Sequence, residues 1–324
     1  MCLFHKGRHT LAVIGNGFDL AHGFSTSYRD FVKNTSAPSL DFFRSCCDNE
    51  SSITSWYLFE DNIRILTHNL FQQSFTEDCD YDGTRKEVAR LRDAFQDIHT
   101  LLIQYLRSET DGRPVSVLRS VKKYLRPDTT AINFNYTKVA EAYTNHIFYV
   151  HGSLEEDDIL LGYDYRDEPC LAQYTDMRWG KIICREALAF RRYLKEELGL
   201  EADSPEYKRL NSSLEAYQES ENSGRGIDID AEAYIPDFRF IDDFMKKYKD
   251  GQDIPEIDYD QITTLIVLGH GIEADQVYLK KILSKCSRLK RVVIFRHCGE
   301  TDPEFTKRAD FFRPHCKKVC PVFY

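Results

Sequence analysis

Four short stretches of the chain set glycine, asparagine, histidine or aspartate just after an apolar run, where such groups can handle a small polar ligand. The first is Gly15-Asn16-Gly17-Phe18-Asp19, with His22 a few residues on. Glycines two apart allow a tight turn and a close approach of backbone to a ligand. A helix beginning there would offer N–H groups and a positive dipole end to a diphosphate. The third glycine of the dinucleotide fingerprint is replaced by Leu20, so strand-to-helix packing explains the turn equally well. The second stretch is Asn133-Phe134-Asn135-Tyr136-Thr137. Asparagine is a poor strand former, and alternation about Phe134 puts both carboxamides on one face. They could cap a helix starting near Lys138, or one could reach a ribose hydroxyl or a water, and both readings stand. In the third stretch, His151-Gly152 follows Val150, and an imidazole titrating near neutrality suits general-base work. The fourth is Gly269-His270-Gly271, with Asp275 about a turn further on.

The elements that must position these groups are legible as apolar runs at residues 11–14, 131–134, 147–150, 159–161, 265–268 and 292–295, with 319–324 as a further candidate. Continuous apolar runs closed by glycine or asparagine are what strands buried on both faces look like. Strands alternating with helical segments predict an α/β, Rossmann-like parallel sheet with helices on both faces. All four polar motifs then fall at carboxyl ends of strands, where open α/β sheets bind ligands. The longest helical signal covers residues 87–107, whose Val88, Leu91, Phe95, Ile98, Leu102 and Tyr105 share one stripe. Such a stripe buries against the home domain or pairs with a second copy of the chain. Residues 165–260 differ in character: charged amphipathic helices at 179–198 and 206–219, a loop at 221–226 and an acidic run from 228. They read as a helical insertion or lid within a single domain spanning residues 1–324.

A composition of 42% hydrophobic and 29% charged residues is that of a globular protein. The apolar runs are far shorter than the roughly 20 residues of a membrane helix. The first ten residues are basic and polar, without the apolar core of a signal peptide, so a cytoplasmic protein is expected. The formal charge of −9 argues against a generic attraction to nucleic acid or anionic membrane. Lys280, Lys281, Lys285, Arg288, Lys290 and Arg291 do cluster, and they read as a solvated helix face followed by a loop. Ten cysteines contain no Cys-x-x-Cys pair, and His297-Cys298, His315-Cys316 and Cys320 fit no zinc spacing, so no metal is expected.

At this point a resemblance can be named. The run from Ile14 through Gly15, Asn16, Gly17, Phe18, Asp19, Leu20, Ala21, His22 and Gly23, followed by Thr26-Ser27-Tyr28 and Phe31, resembles the opening signature of the AbiH family of bacterial phage-defence proteins. Asn133 to Thr137, His151-Gly152, and Gly269-His270 with Asp275 follow in that family's order, from about residue 11 to 290, with Gly271 where members usually carry serine. That family is similar in turn to the sirtuin-like proteins, which implies NAD as substrate or ligand. By that resemblance Gly15 and Gly17 sit at the diphosphate loop, Asn135 holds the nicotinamide ribose and His151 is the catalytic histidine. Asp19 stands where a small hydroxyl residue is usual, and Thr137 where an aspartate is usual two positions after the asparagine. No four-cysteine zinc ribbon is present, which argues against a protein deacylase.

These readings make Asn135, His151 and Asp19 the catalytic candidates. Gly15, Asn16, Gly17, Phe18, His22, Asn133, Tyr136, Gly269, His270 and Asp275 are the ligand-binding candidates. The favoured function is hydrolysis of the nicotinamide–ribose bond of NAD. The alternative is a non-catalytic nucleotide sensor whose insertion engages a phage or host trigger protein. Phosphoester hydrolysis through Asp19, His22, His151 and His270 ranks behind both.

Overall fold

The computed structural model describes residues 9–46, 53, 55–73, 81–155, 158–162, 181–223, 235–249, 254–255 and 257–324. The basic amino-terminal stretch and parts of the foreseen insertion (165–180, 224–234, 250–253 and 256) lie outside the described residues. The chain divides into two compact units, one of Met1–Thr35, Leu102–Ile159 and Ile254–Tyr324, the other of Ser36–Leu101 and Leu160–Asp253.

The first unit is built on a six-stranded parallel sheet of β1 (Thr10–Ile14), β2 (Thr130–Asn133), β3 (His146–Tyr149), β6 (Thr264–Leu268), β7 (Arg291–Arg296) and β8 (Lys318–Phe323). They lie in the order β3-β2-β1-β6-β7-β8. This is the doubly wound order, in which the chain starts at the centre, builds outward one way and then the other. The reversal falls between β1 and β6, which pair from Thr10↔Thr264 to Ile14↔Leu268. Alternation along each strand feeds two separate cores. Leu11, Val13, Ile132, Leu265, Val267, Val292 and Ile294 face one side, beneath Tyr278, Leu279 and Ile282 of α10 (Gln276–Lys285) and Phe312 of α11 (Asp302–Phe312). Ala12, Ile14, Ala131, Ile266, Leu268 and Val293 face the other, beneath Phe18 of the short α1 (Gly17–Ala21) and Val121 of α6 (Arg119–Lys122). The outermost strand, β8, contains Pro321, which an edge strand tolerates because proline cannot donate to a ladder.

One strand expectation is corrected. The run at 159–161 does not join the parallel sheet. Residues Asp158–Ile159 form β5, which pairs antiparallel with β4 (Gly152–Ser153) as a separate two-stranded hairpin. The connection between them is too short for the crossover that a parallel pair requires.

The second unit is helical: α3 (Pro38–Ser45), α4 (Trp56–Gln73), α7 (Lys181–Glu196), α8 (Pro205–Ser223) and α9 (Ile235–Lys249). Helix α5 (Tyr81–Thr110) starts in this unit and ends in the first, the division falling at Leu101. Of its foreseen stripe, Leu91, Phe95, Ile98, Leu102 and Tyr105 are buried, and the Val88 side chain lies outside the described residues. Helices α7, α8 and α9 share a core of Phe190, Leu194, Leu214, Phe238, Ile241 and Phe244. The unit thus takes in residues 36–101 as well as the segment after β5. No helix among the described residues is long and apolar enough to cross a membrane.

Candidate functional site

All four sequence motifs reach the carboxyl end of the sheet within the first unit. The first glycine turn is packed against the fourth. Gly15 N–H donates to Leu268 O, and Gly17 N–H to Gly269 O, each at 2.9 Å. A Cβ on Gly17 would lie 2.9 Å from the Gly269 Cα, and one on Gly15 would lie 2.7 Å from the His270 Cα. Gly269 itself has φ +62, and a Cβ there would lie 2.0 Å from the Phe18 nitrogen. Three glycines are therefore needed because two backbones touch at the switch point. The Phe18 N–H is also engaged, by Gly15 O at 2.9 Å. These amides, expected from the sequence to face a diphosphate, are bonded to protein carbonyls.

Around this contact lie two clusters of polar side chains. In the first, Asp19 sits at the start of α1 and is 1% exposed. Thr137 Oγ1 donates to its Oδ2 at 2.5 Å, and Asn135 Nδ2 donates to its Oδ1 at 3.0 Å. Asn135 Nδ2 also donates to Gly15 O at 3.1 Å, which ties the end of β2 to the glycine turn. Asn133 braces the same bend, its Oδ1 accepting from Asn135 N–H at 3.0 Å and its Nδ2 donating to Thr137 O at 3.4 Å. Neither asparagine caps the following helical turn, which has no side-chain cap. Burial pushes the Asp19 carboxyl up to about 7, against the Thr137 and Asn135 hydrogen bonds that pull it down. A carboxyl group that would be fully ionised in water is thereby held near half-ionisation at neutral pH.

The second cluster is a carboxylate between two imidazoles. Asp275 Oδ1 lies 3.0 Å from His151 Nε2, and its Oδ2 lies 3.3 Å from His270 Nε2. All three residues are buried. His270 Nδ1 accepts the Ile272 N–H at 2.9 Å, so its proton sits on Nε2 and points at Asp275. The ionised Asp275 carboxylate can only accept, so His151 donates to it from Nε2, and in the neutral ring the acceptor nitrogen is then Nδ1. The Phe134 ring packs edge-on to both imidazoles, with centroids 5.5 Å from His151 and 4.5 Å from His270. Because Phe134 alternates with Asn133 and Asn135, the imidazole pair lies on its face of the sheet and the asparagines on the other. The loop carrying His270 and Asp275 contains Ile272 at φ +72, an uncommon backbone for a β-branched residue. Its buried side chain and the bond from its N–H to His270 hold that conformation.

The remaining candidates are drawn elsewhere. Asn16 Oδ1 accepts from Thr26 Oγ1 at 2.7 Å. His22 is fixed by Phe18 O at 2.7 Å and by the Tyr143 hydroxyl at 2.6 Å, against the rings of both residues. Burial lowers its pKa, so a neutral imidazole serves here as packing. Tyr136 contributes its carbonyl, which accepts from Leu154 N–H at 2.9 Å. Thr137, Tyr143 and Arg308 were not among the candidates. Arg308 clamps the site from α11, donating to His270 O at 3.3 Å and Phe295 O at 3.1 Å while Glu300 accepts two bonds from it. Only the spacing of Thr137, two after Asn135, carried a signal. Among the described residues no three His, Cys, Asp or Glu side chains converge as a metal would need.

Fold and site together define a doubly wound α/β protein with buried acid–base groups at the switch point of its sheet. The chain belongs to the family of bacteriophage abortive infection AbiH proteins, which matches residues 11–297. It is thus a phage-defence protein of the abortive-infection kind. Neither a curated protein nor a solved structure matches the chain.

Proposed function

We propose that the site hydrolyses the bond between nicotinamide and ribose in NAD, draining the dinucleotide from an infected cell. One observation carries the reading. Asp19 and Thr137, the two departures from the sirtuin-like pattern, are hydrogen-bonded to each other at 2.5 Å. By that resemblance a hydroxyl is expected at position 19 and a carboxyl at 137; here the two types stand the other way round and still meet, Asp19 on α1 and Thr137 after β2. In the reaction the C–N bond breaks with its electrons going to the pyridinium nitrogen, and water adds to the ribose carbon and gives up a proton. His151, oriented by Asp275, takes that proton. The Asp19 carboxylate, on the opposite face of the sheet, offsets the positive charge developing on a ribose that would reach over the Gly15–His270 contact at the carboxyl end. Asn135 fixes Asp19 against the glycine turn. With its amides engaged, that turn shapes the site, and the side-chain clusters carry the chemistry.

The test is nicotinamide and ADP-ribose release by the purified chain, together with NAD levels in phage-exposed cells that express it. His151→Ala and Asp275→Asn are each expected to lower turnover by about 10²–10⁴-fold. Defence that persists while NAD stays constant ends this reading. A second reading, a nucleotide sensor without turnover, is favoured by the near-complete burial of Asp19, Asn135 and His151. It predicts that His151→Ala and Asn135→Ala variants, if well folded, keep both nucleotide binding and defence.

A further inference from the structure

At the amino ends of the outer strands, opposite the site, the fold assembles a patch that the sequence shows only in part. Arg288, Lys290 and Arg291 lead into β7, and Lys317 and Lys318 lead into β8. The two turns are stitched together, Lys317 N–H donating to Lys290 O at 3.2 Å. Arg291 and Lys318 are directly paired across the parallel ladder, so two cations share one face at the shortest cross-strand spacing. Like charges in that position destabilise a sheet. All five side chains are exposed, and none makes an ion pair among the described residues. Lys285, over the Tyr259 ring at the end of α10, extends the patch. The carboxylate at its border, Asp260, accepts from Ser287 Oγ at 2.5 Å.

We propose that this edge binds the phosphate backbone of double-stranded nucleic acid. A patch of unpaired cations on a chain of net charge −9 concentrates attraction where the molecule as a whole repels a polyanion. Screening limits that repulsion to within about 8 Å at physiological salt. What the patch lacks selects the partner. Protein interfaces and membrane-surface anchors both need apolar or aromatic side chains at their centre. On the framing elements the exposed ones are Val277 and Phe323, at the opposite ends of α10 and β8. Single-stranded nucleic acid is held by stacking bases on aromatic rings, and among the described residues none is exposed at this patch. A duplex, with its bases already stacked, requires only cations spaced to meet phosphates.

Fluorescence anisotropy of a labelled duplex of about 30 base pairs, titrated with the full chain between about 50 and 200 mM salt, tests this. Five phosphate contacts would give a log–log salt slope of roughly −4 to −5, from about −0.9 per contact. Arg291→Glu with Lys318→Glu is expected to weaken binding at least tenfold. The milder pair Arg288→Gln with Lys317→Gln is expected to flatten the slope by roughly two. Melting curves of each variant report whether it is folded, and the milder pair decides if the first is not. No salt-dependent binding by the unmodified chain, or unchanged slopes in the folded variants, overturns the proposal. So does tighter binding of a single strand, or of anionic phospholipid vesicles in place of the duplex. The patch is remote from His151 and Asp19, so NAD turnover reads separately from these outcomes.

Discussion

Asp19 holds a proton against its own chemistry. In water it would be ionised above its ordinary value of 3.8, whereas burial moves it to about 7. Between those values the unfolded chain has released the proton and the native chain has kept it. Stability therefore falls as pH rises through that window and levels off above about 7. The loss is on the order of a few kcal/mol, since each pKa unit corresponds to about 1.4 kcal/mol. Asp19→Asn preserves shape: its carbonyl can accept from Asn135 and its amide can donate to Thr137. Denaturant unfolding of this variant at pH 5, 6, 7 and 8 is expected to lack the fall seen in the unmodified chain. An identical fall in both would assign the pH dependence to other groups. Catalysis supplies the opposite sign. If the ionised carboxylate supports the ribose cation, NAD turnover rises with pH through about 7, and Asp19→Asn removes that rise.

At the scale of elements, the glycine contact between β1 and β6 is the joint on which the site depends. Alanine at position 269 would force a side chain at φ +62 into the Phe18 nitrogen and the Gly17 carbonyl carbon. Overpacking and the left-handed backbone together are expected to cost roughly 2–5 kcal/mol. Alanine at position 271, two residues on, meets nothing within 4 Å and is expected to change stability by less than about 1 kcal/mol. Thermal melting of the two variants checks the contrast, and equal melting temperatures would show that the joint yields. The need for Gly15 and Gly17 was legible in the sequence, but what approaches them was not, because a ligand and a neighbouring backbone demand the same absence of Cβ. The central strands were legible for a simpler reason. Runs such as Leu265-Ile266-Val267-Leu268 are buried on both faces and carry no competing period. Ile159 misled because an apolar residue in a short hairpin looks the same as one in a sheet. The pairings that make the site were invisible, since Asp19 meets Thr137 across 118 residues and His151 meets Asp275 across 124. Only the strand order brings those ends together.

At the scale of the whole molecule, the cores of the sheet unit and the core of α7, α8 and α9 share no residue among those described. The sheet unit packs aliphatic strands between helices, whereas α7, α8 and α9 close around aromatic rings. Phe190 is fully buried there, with the Phe244 ring 5.0 Å away. Deleting a buried phenylalanine ring costs about 3–5 kcal/mol, a large share of what stabilises a unit of this size. If each core is its own cooperative unit, Phe190→Ala raises the local opening of the helical unit alone. Amide hydrogen exchange should then show faster exchange across α7, α8 and α9, while the amides of β1, β2 and β6 keep their protection. The Asp19-linked fall of stability with pH, read from the sheet amides, should be unchanged in the variant. Equal acceleration in sheet and helices would instead mean that the chain opens as one unit. Substitutions in the helical unit would then act on the acid–base clusters through global stability, and a loss of defence in such a variant could not be assigned to a lost partner contact.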